Sequence, residues 1–468
     1  MPVLSKDHIY SIYLGIKCLV VFRDVTKYDA LFKKFNALLE IILKKDSSVE
    51  ELLDSYSSFV NRLFKIKEEA LDRDSGDIWQ NHILNTILSD ENIFSLKAES
   101  GKIGSLESPL VNNFKNDLLL LQQIYKDFSL PNIEKAVKEK ISKILLDSDS
   151  DNVIKNQISA FLPSIDRVIP ESENRFLNFY LEESNNIKRV LASSSDWRNN
   201  VEALVDFYRN VGCGKLGRFL AFKWVRRQKG GYLAGIPNPD PIRLENLIGY
   251  EEQRTEVVRN TQQFVKGYPA NNMLLYGDRG TGKSSTIKAL IHKFGVSGLR
   301  LIQVSKDSLA DLPDILEVIR ERPYRFIIFI DDLSFEEYET EYKYLKAVLE
   351  GNLEAKPDNV VIYATSNRRH LVKEFLSDVE KTGEIRAQDT VQEKLSLSDR
   401  FGITVIFPTP DQETYLKIVE GLAEQKKLNI EKDKLRKLAL QWEIWHNERS
   451  GRTAKQFIDA LQGKLGLY

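Results

Sequence analysis

The segment GDRGTGKS, residues 277–284, constrains this chain more than any other stretch of its length. It reads as Gly, four residues, Gly-Lys-Ser, the pattern of a phosphate-binding loop, or P-loop. An apolar run, NMLLY at 272–276, precedes it, and a helix-compatible stretch, STIKALIHKF, follows it. Strand, glycine loop and helix form the context in which the motif works. Gly277, Gly280 and Gly282 let the backbone curl so that its N–H groups point inward. Those donors, with a helix N-terminus behind them, suit the phosphates of a nucleotide. Asp278, Arg279, Thr281 and Ser285 complete the expected nucleotide-binding loop. Lys283 is expected to reach the β- and γ-phosphates, and Ser284 to offer its hydroxyl to Mg²⁺. The alternative, a chance glycine-rich turn, does not account for the flanking elements.

A second segment, RFIIFIDDLSF at 325–335, runs five apolar residues into Asp331 and Asp332. The end of a buried strand is an unfavourable place for two carboxylates unless a cation is near. Asp331 is expected to bind Mg²⁺, usually through water, and Asp332 to polarise an attacking water. Alone, the pair could equally cap a helix. About 50 residues after a P-loop, it points to ATP or ADP with Mg²⁺ as the cofactors.

The two halves of the chain differ in composition. Residues 1–228 hold 7 Gly and 5 Pro, against 17 and 9 in the remaining 240. So little Gly and Pro favours helices. Leu52, Tyr56, Phe59 and Leu63 share one helical face, as do Phe114, Leu118, Leu121, Tyr125 and Phe128. Residues 1–228 therefore read as an all-α domain, with room for two subdomains. KGGYLAGIPNPDP at 229–241 reads as a Gly/Pro linker. Beyond it, five apolar runs alternate with helical stretches: 272–276, 299–305, 325–331, 359–365 and 403–408. Continuous apolar strands separated by helices imply a parallel sheet covered on both faces. The expected nucleotide-binding core spans 242–409, with five parallel strands. Residues 410–468 read as a helical lid.

Several classes are disfavoured. With 67 Lys and Arg against 68 Asp and Glu, the net charge of −1 does not make the whole molecule an electrostatic nucleic-acid binder. Two cysteines and five scattered histidines form neither a disulfide framework nor a zinc-ligand spacing. No apolar run is long enough for a membrane span. The opening MPVLSKDHIYSIYLG lacks the grammar of a secretory signal. A soluble, cytoplasmic protein is the simplest expectation.

The motifs together resemble the AAA+ branch of P-loop ATPases over about residues 240–468. The wording of NNMLLYGDRGTGKSS, FIDDLSFE, EKLSLSDRFG and SGRTAKQF is similar to one bacterial AAA-type ATP-binding family, domain of unknown function 815. The resemblance implies roles for further residues. Asn367, in YATSNRRH, stands where the superfamily places its sensor 1 residue; a turn-forming Asn is the alternative. Arg400, in LSLSDRFGI, stands where an arginine finger completes a neighbour's site; a surface pair with Asp399 is the alternative. Arg452, in ERSGRTAKQF, takes the place of a sensor 2 arginine, or is a solvent-facing helix start. Leu247, Ile248 and Gly249 resemble the segment that packs on adenine. Arg368 and Arg369 read as an exposed basic pair. One departure stands out: this chain has Asp-Asp where most relatives have Asp-Glu. Asp332 is one methylene shorter than Glu and so reaches less far toward a catalytic water.

Such a protein is expected to hydrolyse ATP and to couple turnover to remodelling or loading of a macromolecular client. The alternative is a nucleotide-gated scaffold with little hydrolysis. A finger supplied in trans implies a homo-oligomer with head-to-tail contacts. A small-molecule kinase is disfavoured, since it has no use for the sensor and finger series. The run KLGRFLAFKWVRRQK at 215–229 mixes six basic residues with three aromatics. Single-stranded nucleic acid is one reading of it. Packing of the aromatics on the core, with the cations in water, is the favoured one.

Overall fold

The computed structural model describes residues 4–69, 76–105, 107–146, 175–228, 230–335, 341–350, 356–367, 397–446 and 448–466. The chain divides into two compact units, Met1–Arg218 and Phe219–Tyr468.

Every labelled element of the first unit is a helix: α1 Lys6–Cys18, α2 Arg23–Tyr28, α3 Ala30–Leu43, α4 Val49–Glu69, α5 Ile78–Ser89, α6 Ile93–Glu99, α7 Pro109–Asp127, α8 Leu130–Leu146, α9 Arg175–Ser193, α10 Val201–Asn210 and α11 Gly214–Arg218. Local chemistry sets their starts. Asp29 caps α3 by accepting from the amides of Leu31 and Phe32, and Asp77 and Gln80 close a reciprocal capping box on α5. Ser108 followed by Pro109 opens α7. The apolar faces read from the sequence are the ones that pack: Leu52, Phe59, Leu63, Phe114, Leu118 and Leu121 are all fully buried in one core. Asp117 on α7 is a polar member of that core. Its carboxylate accepts the amides of Val20, Val21 and Phe22, at 2.7–3.2 Å, and so fixes the turn between α1 and α2.

The second unit is built on one sheet of seven strands rather than the expected five. They are β1 Ala221–Arg226, β2 Gly231–Gly235, β3 Met273–Gly277, β4 Leu299–Gln303, β5 Arg325–Ile330, β6 Val360–Ser366 and β7 Ile403–Phe407, in the order β2-β1-β4-β5-β6-β3-β7. All pairings are parallel except the β1–β2 hairpin. The five strands expected from the sequence are the parallel block from β4 to β7. The other two correct the reading of 215–241. Residues 221–226 are a strand of the second unit, not the end of a helical domain, and residues 231–235 of the apparent linker are its hairpin partner. The boundary expected at 228 accordingly lies between Arg218 and Phe219.

The aromatics of this segment are packed. Phe222 is fully buried, and Trp224 is buried with its indole N–H donating to Asp311 at 3.0 Å. The Phe219 ring fills the space beside Gly235. Stacking on bases requires exposed rings.

Helices α12 Glu251–Val265, α13 Lys283–Phe294, α14 Leu312–Ile319 and α15 Tyr342–Glu350 belong to the sheet, and α16 Gln412–Gln425, α17 Lys432–His446 and α18 Gly451–Gly466 follow it. These last three share a separate small core of Tyr415, Ile418, Val419, Ala439, Phe457 and Ile458, among others. No helix among the described residues is long and apolar enough to cross a membrane.

Candidate nucleotide site

The P-loop lies at the carboxyl end of β3, where open α/β sheets place ligands. Two of its glycines are obligatory for steric reasons. Gly277 has φ 141°, and a Cβ there would run into the Phe407 carbonyl on β7. Gly280 has φ 73°, and a Cβ there would lie 2.8 Å from Ser450 Oγ and 3.0 Å from Arg452 Cβ. The lid therefore meets the loop at a point where a side chain does not fit.

Lys283 opens α13, and its Nζ donates to the carbonyls of Gly277 at 2.7 Å and Asp278 at 2.6 Å. A longer bond of 3.4 Å reaches Asn367 Oδ1. Burial pulls the ammonium below its ordinary pKa, against the opposing pull of Asp278, Asp332 and Asp331. Ser284, the next residue, donates to Asp331 Oδ1 at 2.5 Å. Two hard oxygen ligands thus meet between α13 and β5. That donor set suits Mg²⁺, which takes one or two carboxylates plus substrate phosphates rather than an all-protein cage. No group of three or more His, Cys, Asp or Glu arranged to hold a metal occurs among the described residues.

Asp332 follows with φ 54°, a left-handed backbone that is uncommon outside glycine. Its amide donates to Thr365 Oγ1 at 3.0 Å, and its carboxylate accepts from Asn367 Nδ2 at 2.5 Å. Thr365 in turn donates to Asp331 Oδ1 at 2.7 Å. Thr365 and Asn367 are two residues apart at the end of β6 and so share one side of the strand. Thr365, nearly fully buried, is a site residue the motif search missed.

These groups line one cavity of about 810 Å³. Arg279 to Ser285, Asp331, Asp332, Asn367 and Arg452 all face it. Leu247 and Ile248 line it too, with Ile242, Ile418 and Leu422 forming an apolar stretch of wall. Gly277 and Asp278 do not. They contribute carbonyls to Lys283, and the Asp278 carboxylate accepts from Thr409 instead. Gly249, φ 78°, packs toward Ile418 and Thr414 outside the lining. Arg400 is also absent from the cavity of its own chain; its guanidinium pairs with Glu350 at the end of α15. Arg368 and Arg369 lie outside the described residues. Lys455, one turn along α18 from Arg452, lines the cavity and was not anticipated. Among these lining residues, four cations face two carboxylates, a surplus of positive charge that suits a polyphosphate.

With its phosphate loop between β3 and α13 and its acid pair beyond β5, the second unit falls in the class of P-loop α/β proteins. The family match covers that same unit. Residues 217–465, just over half of the chain, match the family described as Protein of unknown function (DUF815), and the chain belongs to it. No curated protein matches the sequence. Among solved structures, the Thermotoga maritima RuvB Holliday junction branch migration motor is similar at 15% identity and a TM-score of 0.31, over 47% of this chain and 72% of that one. The FIGL-1 AAA domain in complex with ADP is similar at 18% identity and a TM-score of 0.30, over 43% and 67%. Likenesses this weak do not bear on the chemistry of the site.

Proposed function

We propose that the chain is an AAA+-type ATPase that binds ATP with Mg²⁺ in this cavity and couples hydrolysis to remodelling or loading of a macromolecular client. The observation that carries the reading is the 2.5 Å bond from Ser284 to Asp331, in a cavity shared by the P-loop and a lid arginine. In this reading the P-loop amides and Lys283 hold the β- and γ-phosphates. Lys283 leaves its carbonyl partners to do so. Ser284 and Asp331 hold Mg²⁺, which when bound neutralises charge developing on the transferred phosphoryl group. Asp332 orients and polarises the attacking water, with Asn367 fixing its carboxylate. Adenine lies against Leu247, Ile248, Ile418 and Leu422. Arg452 approaches the γ-phosphate from the lid, and Arg400 acts on the site of a neighbouring subunit. Absence from its own chain's cavity is compatible with that last role. A cytoplasmic location fits the same reading.

A second reading is a nucleotide-gated scaffold that turns over slowly. The observation favouring it is the Asn367–Asp332 bond, which occupies an oxygen of an already short acid.

Steady-state ATP hydrolysis per subunit, measured across protein concentrations with Lys283→Ala as the blank, separates the two. A specific rate that rises with concentration supports the ATPase. ATP binding without turnover above the blank supports the scaffold, and loss of binding to the intact protein removes both.

A further inference from the structure

We propose that Thr365 is a positioning residue for the acid pair: its hydroxyl holds Asp331 by one carboxylate oxygen, leaving the other for Mg²⁺, and holds the backbone of Asp332 in place. The inference rests on the proposed nucleotide site and deepens it at a residue outside the motifs.

Thr365 lies near the end of β6. The parallel pairing of β5 with β6 sets Ile330 opposite Ala364, which brings Thr365 level with Asp331. Three bonds then tie this one residue to three successive residues beyond β5. Its hydroxyl donates to Asp331 Oδ1 at 2.7 Å and accepts the Asp332 amide at 3.0 Å. Its carbonyl accepts the Leu333 amide at 2.7 Å. The chain needs holding at that point, because Asp332 takes a left-handed backbone that L-residues disfavour. The strand before Thr365, Val360 to Ala364, is buried throughout, and Thr365 is itself 1% exposed. A hydroxyl in such surroundings is costly unless bonded, and here both its proton and a lone pair are used.

The donated proton decides how Asp331 is shared. Oδ1 accepts from two hydroxyls, those of Ser284 and Thr365. Oδ2 accepts no hydrogen bond from the described residues. Two donors on one oxygen fix the rotation of the carboxylate and keep the other oxygen for a cation. In the proposed site Ser284 is itself recruited to Mg²⁺, so Thr365 is the partner whose duty does not change. Hydrogen bonds behind a metal ligand orient it, and losing one costs about 10–100-fold in metal affinity or activity.

The test is equilibrium binding of ATP to the full-length protein, with Mg²⁺ and with a chelator in its place, for wild type, Thr365→Val, Thr365→Ser, Asp331→Asn and Lys283→Ala. Melting temperature checks the fold of each. Thr365→Val removes the hydroxyl but keeps the branched shape and the main-chain bond to Leu333. It is expected to leave the metal-free affinity within about twofold of wild type and to reduce the ratio of affinities with and without Mg²⁺ about tenfold. Thr365→Ser is expected to recover most of that ratio. An unchanged ratio in Thr365→Val, beside an Asp331→Asn that loses it, overturns the role of Thr365 alone. Equal weakening with and without the metal assigns Thr365 to the fold of the loop, and a Thr365→Ser no better than Thr365→Val assigns the effect to packing; either result overturns the proposal. A wild type whose binding ignores Mg²⁺, or an Asp331→Asn that keeps the full response, overturns the metal site itself. A wild type that binds no more ATP than Lys283→Ala overturns the nucleotide site.

Discussion

At the scale of single residues, the buried charges are the informative ones. Asp90, at the C-terminus of α5, accepts from Asn92 at 2.8 Å, yet burial pushes its carboxyl up to about 6 despite that bond. The folded state therefore holds the proton more tightly than the unfolded chain does. Asp90 favours folding at acidic pH, and the advantage is lost as pH rises from about 4 through 6. A shift of this size is worth no more than about 3 kcal/mol, less what partial exposure screens. The Asp90→Asn protein is expected to melt at a higher temperature than wild type at pH 8, with the gap closing toward pH 4. A gap independent of pH would remove the ionisation from the argument. Asp117 is a contrasting case: burial raises its carboxyl as well, but three backbone amides oppose the shift. In the candidate site, Asp331 and Asp332 were legible because two acids at the end of an apolar strand are conspicuous. Thr365 and Lys455 were not. A threonine in a β-strand and a lysine on an exposed helix turn are the commonest choices for such positions.

At the scale of elements, the five parallel strands and the helix faces of the first unit were readable because each carries its own apolar pattern. The β1–β2 hairpin was not. β1 alternates apolar residues with Lys223 and Arg226, and β2 holds glycines at both ends, which together read as a basic amphipathic segment and a flexible linker. The glycines serve packing instead. The Trp224 indole occupies the space where a Gly231 side chain would be, and Phe219 does the same at Gly235. Only the tertiary partner reveals this. Asp311 anchors the hairpin by accepting from the Trp224 indole and pairing with Arg226 at 3.3 Å. Asp311→Ala leaves a buried N–H without its partner and is expected to cost about 1–3 kcal/mol. Asp311→Asn, which keeps an acceptor, is expected to cost less; chemical denaturation of both variants measures the difference. Equal losses would assign the effect to charge.

At the scale of the whole molecule, the position of Arg400 matters most. Paired with Glu350, it is not part of its own chain's cavity. If it completes a neighbour's site, Arg400→Ala is expected to bind ATP nearly as wild type does while turnover falls roughly 10³-fold. Mixing Arg400→Ala with Lys283→Ala then restores part of the activity, because an intact P-loop meets an intact finger at some interfaces. A mixture no more active than its parts excludes the shared site.

The contact of α18 with Gly280 has a mechanical consequence. The helix is 16 residues long, about 24 Å from end to end, and it meets the phosphate loop at its first turn. Beyond that turn Phe457, Ile458 and Leu461 pack on the other two helices of the lid, so the three helices would move as one body. If a phosphate beneath Arg452 turned the helix by about five degrees at its first turn, the far end would sweep through about 2 Å. Whatever packs at the far end would then feel the occupancy of the loop as displacement, and a methyl group on Gly280, for which there is no room, would push loop and helix apart.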